Sequence, residues 1–145
     1  MRALVQRASR ASVSVEGAVV GSIEQGLCVL IGMTHEDSLD QVSKMADKLF
    51  KLRIFSDADD KMNLSVADIG GDILIISQFT LYGDARKGNR PSYIQAARPE
   101  VAEPLIEALV RSLRAKGLAV PTGVFGADME VEILNDGPVT ISIEL

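Results

Sequence analysis

Residues 73–79 read Ile-Leu-Ile-Ile-Ser-Gln-Phe. Four aliphatic residues in a row, three of them β-branched, leave no polar face to turn toward water. Such a run suits a strand covered on both sides. It passes directly into hydroxyl and amide side chains and then into a polar loop, Tyr82 to Ser92 (YGDARKGNRPS). A second continuous apolar run, Gly26 to Met33 (GLCVLIGM), has the same character. Upstream, RALVQRAS and ASVSV read as strands, and Glu16-Gly17 turns the chain into AVVGSI, a short hairpin.

The periodicity changes between these strands. Leu39, Val42, Met45, Ala46 and Leu49 recur at helical spacing after Asp37 or Ser38 as the cap. A second helix opens at Pro99-Glu100, where the missing proline N–H is harmless, presents Val101, Leu105, Leu109 and Leu113, and stops at Gly117. Arg53-Ile54-Phe55 reads as a short strand and Ser56 to Asn63 as a turn. At the end of the chain Met129, Val131 and Ile133 alternate with polar residues, as do Val139, Ile141 and Ile143. This predicts a strand pair joined by a turn at Asn135 to Thr140 (NDGPVT). The expectation is an α+β fold in one domain, residues 1–145. Curved, largely antiparallel, barrel-like sheets form β-β-α layers, with two helices packed on one side.

Composition narrows the function classes. The 145 residues are 47% hydrophobic and 24% charged, and 15 basic against 20 acidic residues give a net charge of −5. That balance argues against a general coat for DNA or for an anionic membrane, both of which require a cationic surface. No apolar run approaches the roughly 20 residues of a membrane span, and the first residues do not read as a signal peptide. One cysteine, Cys28, lies in an apolar run as a buried, inert thiol, so a reducing, cytoplasmic setting is expected.

Most conventional chemistry lacks its residues. The single histidine, His35, sits in a polar turn far in sequence from Cys28, which makes a poor Cys-His pair and rules out a His-rich zinc site. The stretch DADDKMNLS fails as a calcium loop, because Met62 stands where glycine is required. No phosphate-binding glycine fingerprint or nucleophile elbow is present. No metal or other cofactor is expected. What remains is either a protein that is not an enzyme or one whose reaction runs on positioning and oriented backbone dipoles.

Two motifs are left. Ser77-Gln78-Phe79-Thr80-Leu81 ends the apolar strand; its hydroxyls either satisfy local backbone groups or line a site. In NDGPVT, Pro138 follows a sequence that already has strong turn chemistry. A cis Gly137–Pro138 bond would aim two successive carbonyls the same way, enough to hold an ammonium group; a trans bond would make an ordinary turn.

Taken together, MRALVQRASRASVSV, RIFSD, KMNLSV, GGDILIISQFTLYGD, RKGNRPS, FGADM and NDGPVT resemble the D-aminoacyl-tRNA deacylase family over essentially the whole chain. The resemblance implies a cytoplasmic homodimer that hydrolyses the ester joining a D-amino acid, or glycine, to the 3′ end of tRNA. It implies catalytic-site roles for Ser77, Gln78, Phe79 and Thr80. It assigns Gly137 and Pro138 as a cis step reaching from one subunit into the other's pocket. Phe125, Gly126, Ala127 and Met129 would line that pocket, and Arg7, Arg86, Lys87 and Arg90 would meet the tRNA. Other open readings are an editing domain that clears a wrong L-amino acid and a non-catalytic protein that binds RNA ends.

Overall fold

The structure, a computed structural model, describes residues 1–145. Strand β1 (Arg2–Val15) is its spine. Along one edge β1 pairs antiparallel with β3 (Gly26–Gly32) through residues 2–8 and with β2 (Ala18–Ile23) through residues 11–15. Its other edge carries the long strand β7 (Glu130–Glu144). Strand β6 (Asp72–Ser77) joins β3 in parallel and completes a five-stranded sheet. Helices α1 (Leu39–Lys51) and α2 (Pro99–Arg114) pack on one side of it.

Alternation distributes the apolar runs between two cores. Leu27, Val29, Ile31, Ile73 and Ile75 face the helices, where they meet Val42, Met45 and Leu49 of α1 and Leu105, Leu109 and Leu113 of α2. Cys28, Leu74 and Ile76 point the other way, to Ala8, Ala11, Val13 and Ile23. Met129, just before β7, and Val131 and Ile133 at its start cover that second group. The sheet therefore curls onto itself, and residues 73–76 are buried on both faces, as their unbroken apolarity requires. Each such side chain contributes about 1.5–3 kcal/mol by leaving water. Burial also pushes the Cys28 thiol up to about 12.

Two local expectations change. The short strand predicted at Arg53–Phe55 begins only at Phe55: β4 is Phe55–Ser56 and pairs with β5 (Met62–Leu64), so Met62 and Asn63 are strand rather than turn. The larger correction is at NDGPVT. It joins no strand pair; it lies inside β7, both halves of which pair with β1. Between the pairs Gln6↔Thr140 and Ala8↔Asn135, β1 has only Arg7, whereas β7 has the four residues Asp136, Gly137, Pro138 and Val139. The surplus bulges out of the ladder, exposing Gly137 and Pro138.

Candidate functional site

The strand β6 delivers the first motif. Ser77 still pairs with Ile31, and the Gln78 N–H reaches the Ile31 carbonyl at 2.8 Å. Phe79–Tyr82 then turns as a single 3-10 element. Its placement depends on Gly32, the last residue of β3. A Cβ there would lie 2.8 Å from the Gln78 carbonyl oxygen and 3.3 Å from both the Leu81 Cβ and the Tyr82 ring. The missing side chain lets the turn rest directly on the strand end.

The turn leaves functional groups open. The backbone N–H groups of Phe79 and Thr80, the first two of the element, have no acceptor within the chain, as expected for the first turn of a helix. The Thr80 hydroxyl accepts a hydrogen bond from the Gln78 side-chain amide. No base adjoins it: His35 Nε2 is engaged with the Ile94 carbonyl at 2.8 Å. Unpaired backbone donors on exposed residues, beside a hydroxyl without a base, suit stabilisation of an oxyanion better than nucleophilic attack by a side chain.

Beside this turn an open cleft of about 400 Å³ separates β6 from α2. Ser77 and Phe125 line it, together with Thr122 and Gly123 and the charged side chains Glu103, Glu107 and Arg111 of α2. The lining residues of 119–123 escaped the sequence reading because Pro121, Thr122 and Gly123 do not look like strand. In space this segment runs along β6, with Ile75 N–H to the Pro121 carbonyl at 3.1 Å and Gly123 N–H to the Ile75 carbonyl at 3.1 Å. The proposed lining residues separate. Gly126 is exposed at φ +74° and Ala127 half-buried, while Met129 packs on the second core; none of the three lines the cleft.

The second motif is elsewhere. The Gly137–Pro138 bond is cis. Arg2 pairs with Gly32, which carries the Gln78 turn, whereas Arg7 lies opposite the Gly-Pro bulge. The two motifs are thus five residues of β1 apart, roughly 17 Å at strand rise.

The chain as a whole resembles known proteins. Residues 4–144 match the family model described as D-Tyr-tRNA(Tyr) deacylase. The chain belongs to the D-Tyr-tRNA(Tyr) deacylase family. It is 59% identical over 144 residues to a Brevibacillus brevis protein named D-aminoacyl-tRNA deacylase, covering 99% of each chain. A Geobacillus sp. protein of the same name is 57% identical over 144 residues, 99% of this chain and 95% of that one. Among solved structures, one titled c-Myc DNA Unwinding Element Binding Protein superimposes with a TM-score of 0.94 at 42% identity, over 100% of this chain and 99% of that one. A second, a probable eukaryotic D-amino acid tRNA deacylase, shares the fold with a TM-score of 0.84 at 17% identity, covering 98% of each.

The four basic residues expected to meet tRNA part company in the structure. Arg7 is buried and acts inside the protein: Nη1 donates to the Ile54 carbonyl at 2.7 Å, and Nε lies 3.2 Å from the Asp136 carbonyl and 3.0 Å from its carboxylate. Asn135 completes the clamp by donating to the carbonyls of Arg7, at 3.2 Å, and Val139, at 3.0 Å. The expectation that Arg7 meets RNA is therefore corrected; its guanidinium holds the bulge. Arg86 is exposed but forms two hydrogen bonds with Asp84, at 2.9 and 2.7 Å, and the guanidinium holds the Asp84 carboxyl down at about 2. Lys87 and Arg90 are exposed and form no ion pair.

Proposed function

We propose that the chain hydrolyses the ester between a D-amino acid and the 3′-terminal adenosine of tRNA, releasing both, and that it accepts glycyl-tRNA as well. The observation that carries this reading is the Ser77–Thr80 turn, with two unpartnered N–H groups at the head of a 3-10 element, in a chain alike over nearly its full length to proteins named for this reaction. An aminoacyl ester is already activated. Two backbone donors aimed at the developing oxyanion contribute about 3 kcal/mol each. Water attacks the ester carbon, the adjacent ribose 2′-hydroxyl of the tRNA assists, and the ribose 3′-oxygen leaves. Thr80 hydroxyl attack is disfavoured because no base withdraws its proton. No cofactor takes part.

Selection rests on a second copy. Within one chain the Gly137-Pro138 bulge and the Ser77–Thr80 turn are too far apart to touch one amino acid, so in a homodimer the bulge of one subunit closes the site of the other. Its main-chain carbonyls take the substrate ammonium in charge-assisted hydrogen bonds. With the ammonium and ester fixed, an L side chain strikes the bulge, a D side chain points away, and glycine has nothing to strike. Rejection by collision needs a stiff wall, and the Arg7 and Asn135 bonds supply one. The exposed Lys87 and Arg90 meet the phosphates of tRNA in the cytoplasm.

The test is to incubate the protein with matched D- and L-aminoacyl-tRNA and follow release of the amino acid. Release from the D substrate alone is expected. Release from the L substrate alone would make it an L-editing enzyme, and release from neither would reduce it to a binding protein.

A further inference from the structure

We infer that the ledge formed by Phe79, Tyr93 and Ile94 is a stacking platform for the unpaired nucleotides at the tRNA 3′ end, a subsite separate from the one that holds the amino acid. The inference rests on the proposed tRNA substrate and adds where the strand leading to the ester lies. Large apolar side chains rarely stand in the open together without a use. Here Phe79 is 57% exposed, Tyr93 40% and Ile94 83%. The two rings meet edge to face with centroids 5.1 Å apart, and both remain partly open to solvent.

The ledge is held rigid from behind. Thr34 Oγ1 donates to the Gln95 carbonyl at 2.6 Å, and the Ala97 N–H to the Met33 carbonyl at 2.9 Å. His35 Nε2 lies 2.8 Å from the Ile94 carbonyl. A Cβ on Gly83 would sit 3.0 Å from the Tyr93 ring, so the ring lies flush on the backbone. A surface already fixed in place loses little entropy when a base settles on it.

Charge decides what settles there. Asp84 and Ser92 exchange backbone hydrogen bonds at 2.8 and 2.9 Å, closing residues 85–91 into a hairpin whose base adjoins Tyr93. At its tip Arg86 is matched by Asp84, while Lys87 and Arg90 have no carboxylate partner. Aromatic faces beside uncompensated cations, on a chain of net charge −5, fit a phosphate backbone with splayed bases. An apolar protein partner would have no use for the cations.

Two substrates separate this subsite from the reaction: full D-aminoacyl-tRNA and 3′-O-(D-aminoacyl)adenosine, which lacks the preceding nucleotides. Tyr93→Ala is expected to raise KM for the tRNA roughly tenfold, to leave kcat unchanged, and to leave both constants unchanged on the adenosine ester. Tyr93→Phe keeps a ring face and should behave as the parent. Ile94→Ser, at a position with almost no packing, guards against misfolding and should give a smaller rise of the same kind. Binding of a labelled single-stranded ACCA RNA, read by fluorescence anisotropy, should weaken by the same factors, and the slope of log affinity on log salt should fall by about 0.7 for each of Lys87 and Arg90 replaced by Ala.

Equal losses on both substrates would overturn the inference, since Tyr93 would then act through Phe79 on the chemistry. No loss on either would also overturn it. So would a loss accompanied by dissociation of the dimer into single chains, which would make the ledge a contact between copies. If the parent protein fails to release D-amino acids, the catalytic proposal falls, while ACCA binding and its dependence on Tyr93 still decide the platform.

Discussion

Two points on β1, its Arg2 end and its middle at Arg7, carry the two motifs, and they are built from different materials. At the Arg2 end the Ser77–Thr80 turn is seated by main chain on main chain, with a glycine removing the only obstacle. In the middle of the strand, at Arg7, the Gly137-Pro138 bulge is held by side chains: one guanidinium, one amide and one carboxylate. The difference follows from what each end displays. Oriented N–H groups are useful only if the backbone itself is fixed, and backbone packing does that with no titratable part. A bulge expelled from a ladder has lost its strand partners, so buried polar side chains must replace them. The reacting end should therefore be sensitive to added volume, and the selecting end to lost hydrogen bonds.

Arg7→Ala is the most severe way to test the second half of that contrast. It strands the Ile54 carbonyl in a buried position, and it leaves Asp136 without its cation. The Asp136 side chain is 47% exposed, so screening limits the ion-pair share, and most of the loss comes from the carbonyl and the missing packing. A fall in unfolding free energy of about 2 kcal/mol is expected in urea titration. Discrimination should fail with it, seen as faster release from L-aminoacyl-tRNA. Arg7→Lys keeps the charge but not the fork and should recover only part of both. A variant that keeps its stability and still rejects L substrates would show that the clamp is not what stiffens the bulge.

Gly32→Ala tests the first half. Its methyl group would push the Gln78 carbonyl, the anchor of the turn. Misaiming backbone donors by a fraction of an ångström should lower kcat by roughly thirtyfold with little change in KM, while the packing strain costs about 1–2 kcal/mol in stability. Gly71→Ala is the matched control: its Cβ would meet the Gln25 carbonyl at the same 2.8 Å, at the opposite end of β6. It should lose similar stability and keep its kcat. If both variants lose kcat alike, the effect is general loosening rather than displacement of the turn.

These contrasts also explain what could be read in advance. Residues 73–76 announced a doubly covered strand because nothing polar interrupts them, and both core faces of that strand exist. The helices were legible from their spacing, and Ser38 caps α1, with its N–H donating to the Gln41 side chain at 2.8 Å, while Asp37 instead receives the Met1 ammonium at 2.6 Å. NDGPVT was misread because its local chemistry is that of a turn, whereas the deciding influence is β1, more than 120 residues away in sequence, which pairs on both sides of the motif. Arg7 was misread for a related reason. An arginine on a strand is usually a surface cation, and only folding brings it to Ile54 and Asp136, 47 and 129 residues distant. Short-range patterns could not carry either fact.

Thr80→Ala, with the smallest expected effect, sharpens the comparison most. If the reacting end works through its main chain, the hydroxyl is dispensable and the Phe79 and Thr80 N–H groups are not. Removing the side chain deletes the Gln78 amide's partner at an exposed position, where water replaces it. The backbone of the turn keeps the Gly83 N–H to Thr80 carbonyl bond at 2.9 Å and the Leu81 N–H to Gln78 carbonyl bond at 3.3 Å. Single-turnover release from D-aminoacyl-tRNA should therefore slow by no more than about threefold, well short of the roughly 10²–10³-fold that loss of one oxyanion donor brings. No acyl group should accumulate on the protein when the parent is quenched early. Trapping of an ester on Thr80, or complete loss of release in Thr80→Ala, would move the chemistry from the backbone to the side chain. It would also require a base that the geometry of this turn does not provide.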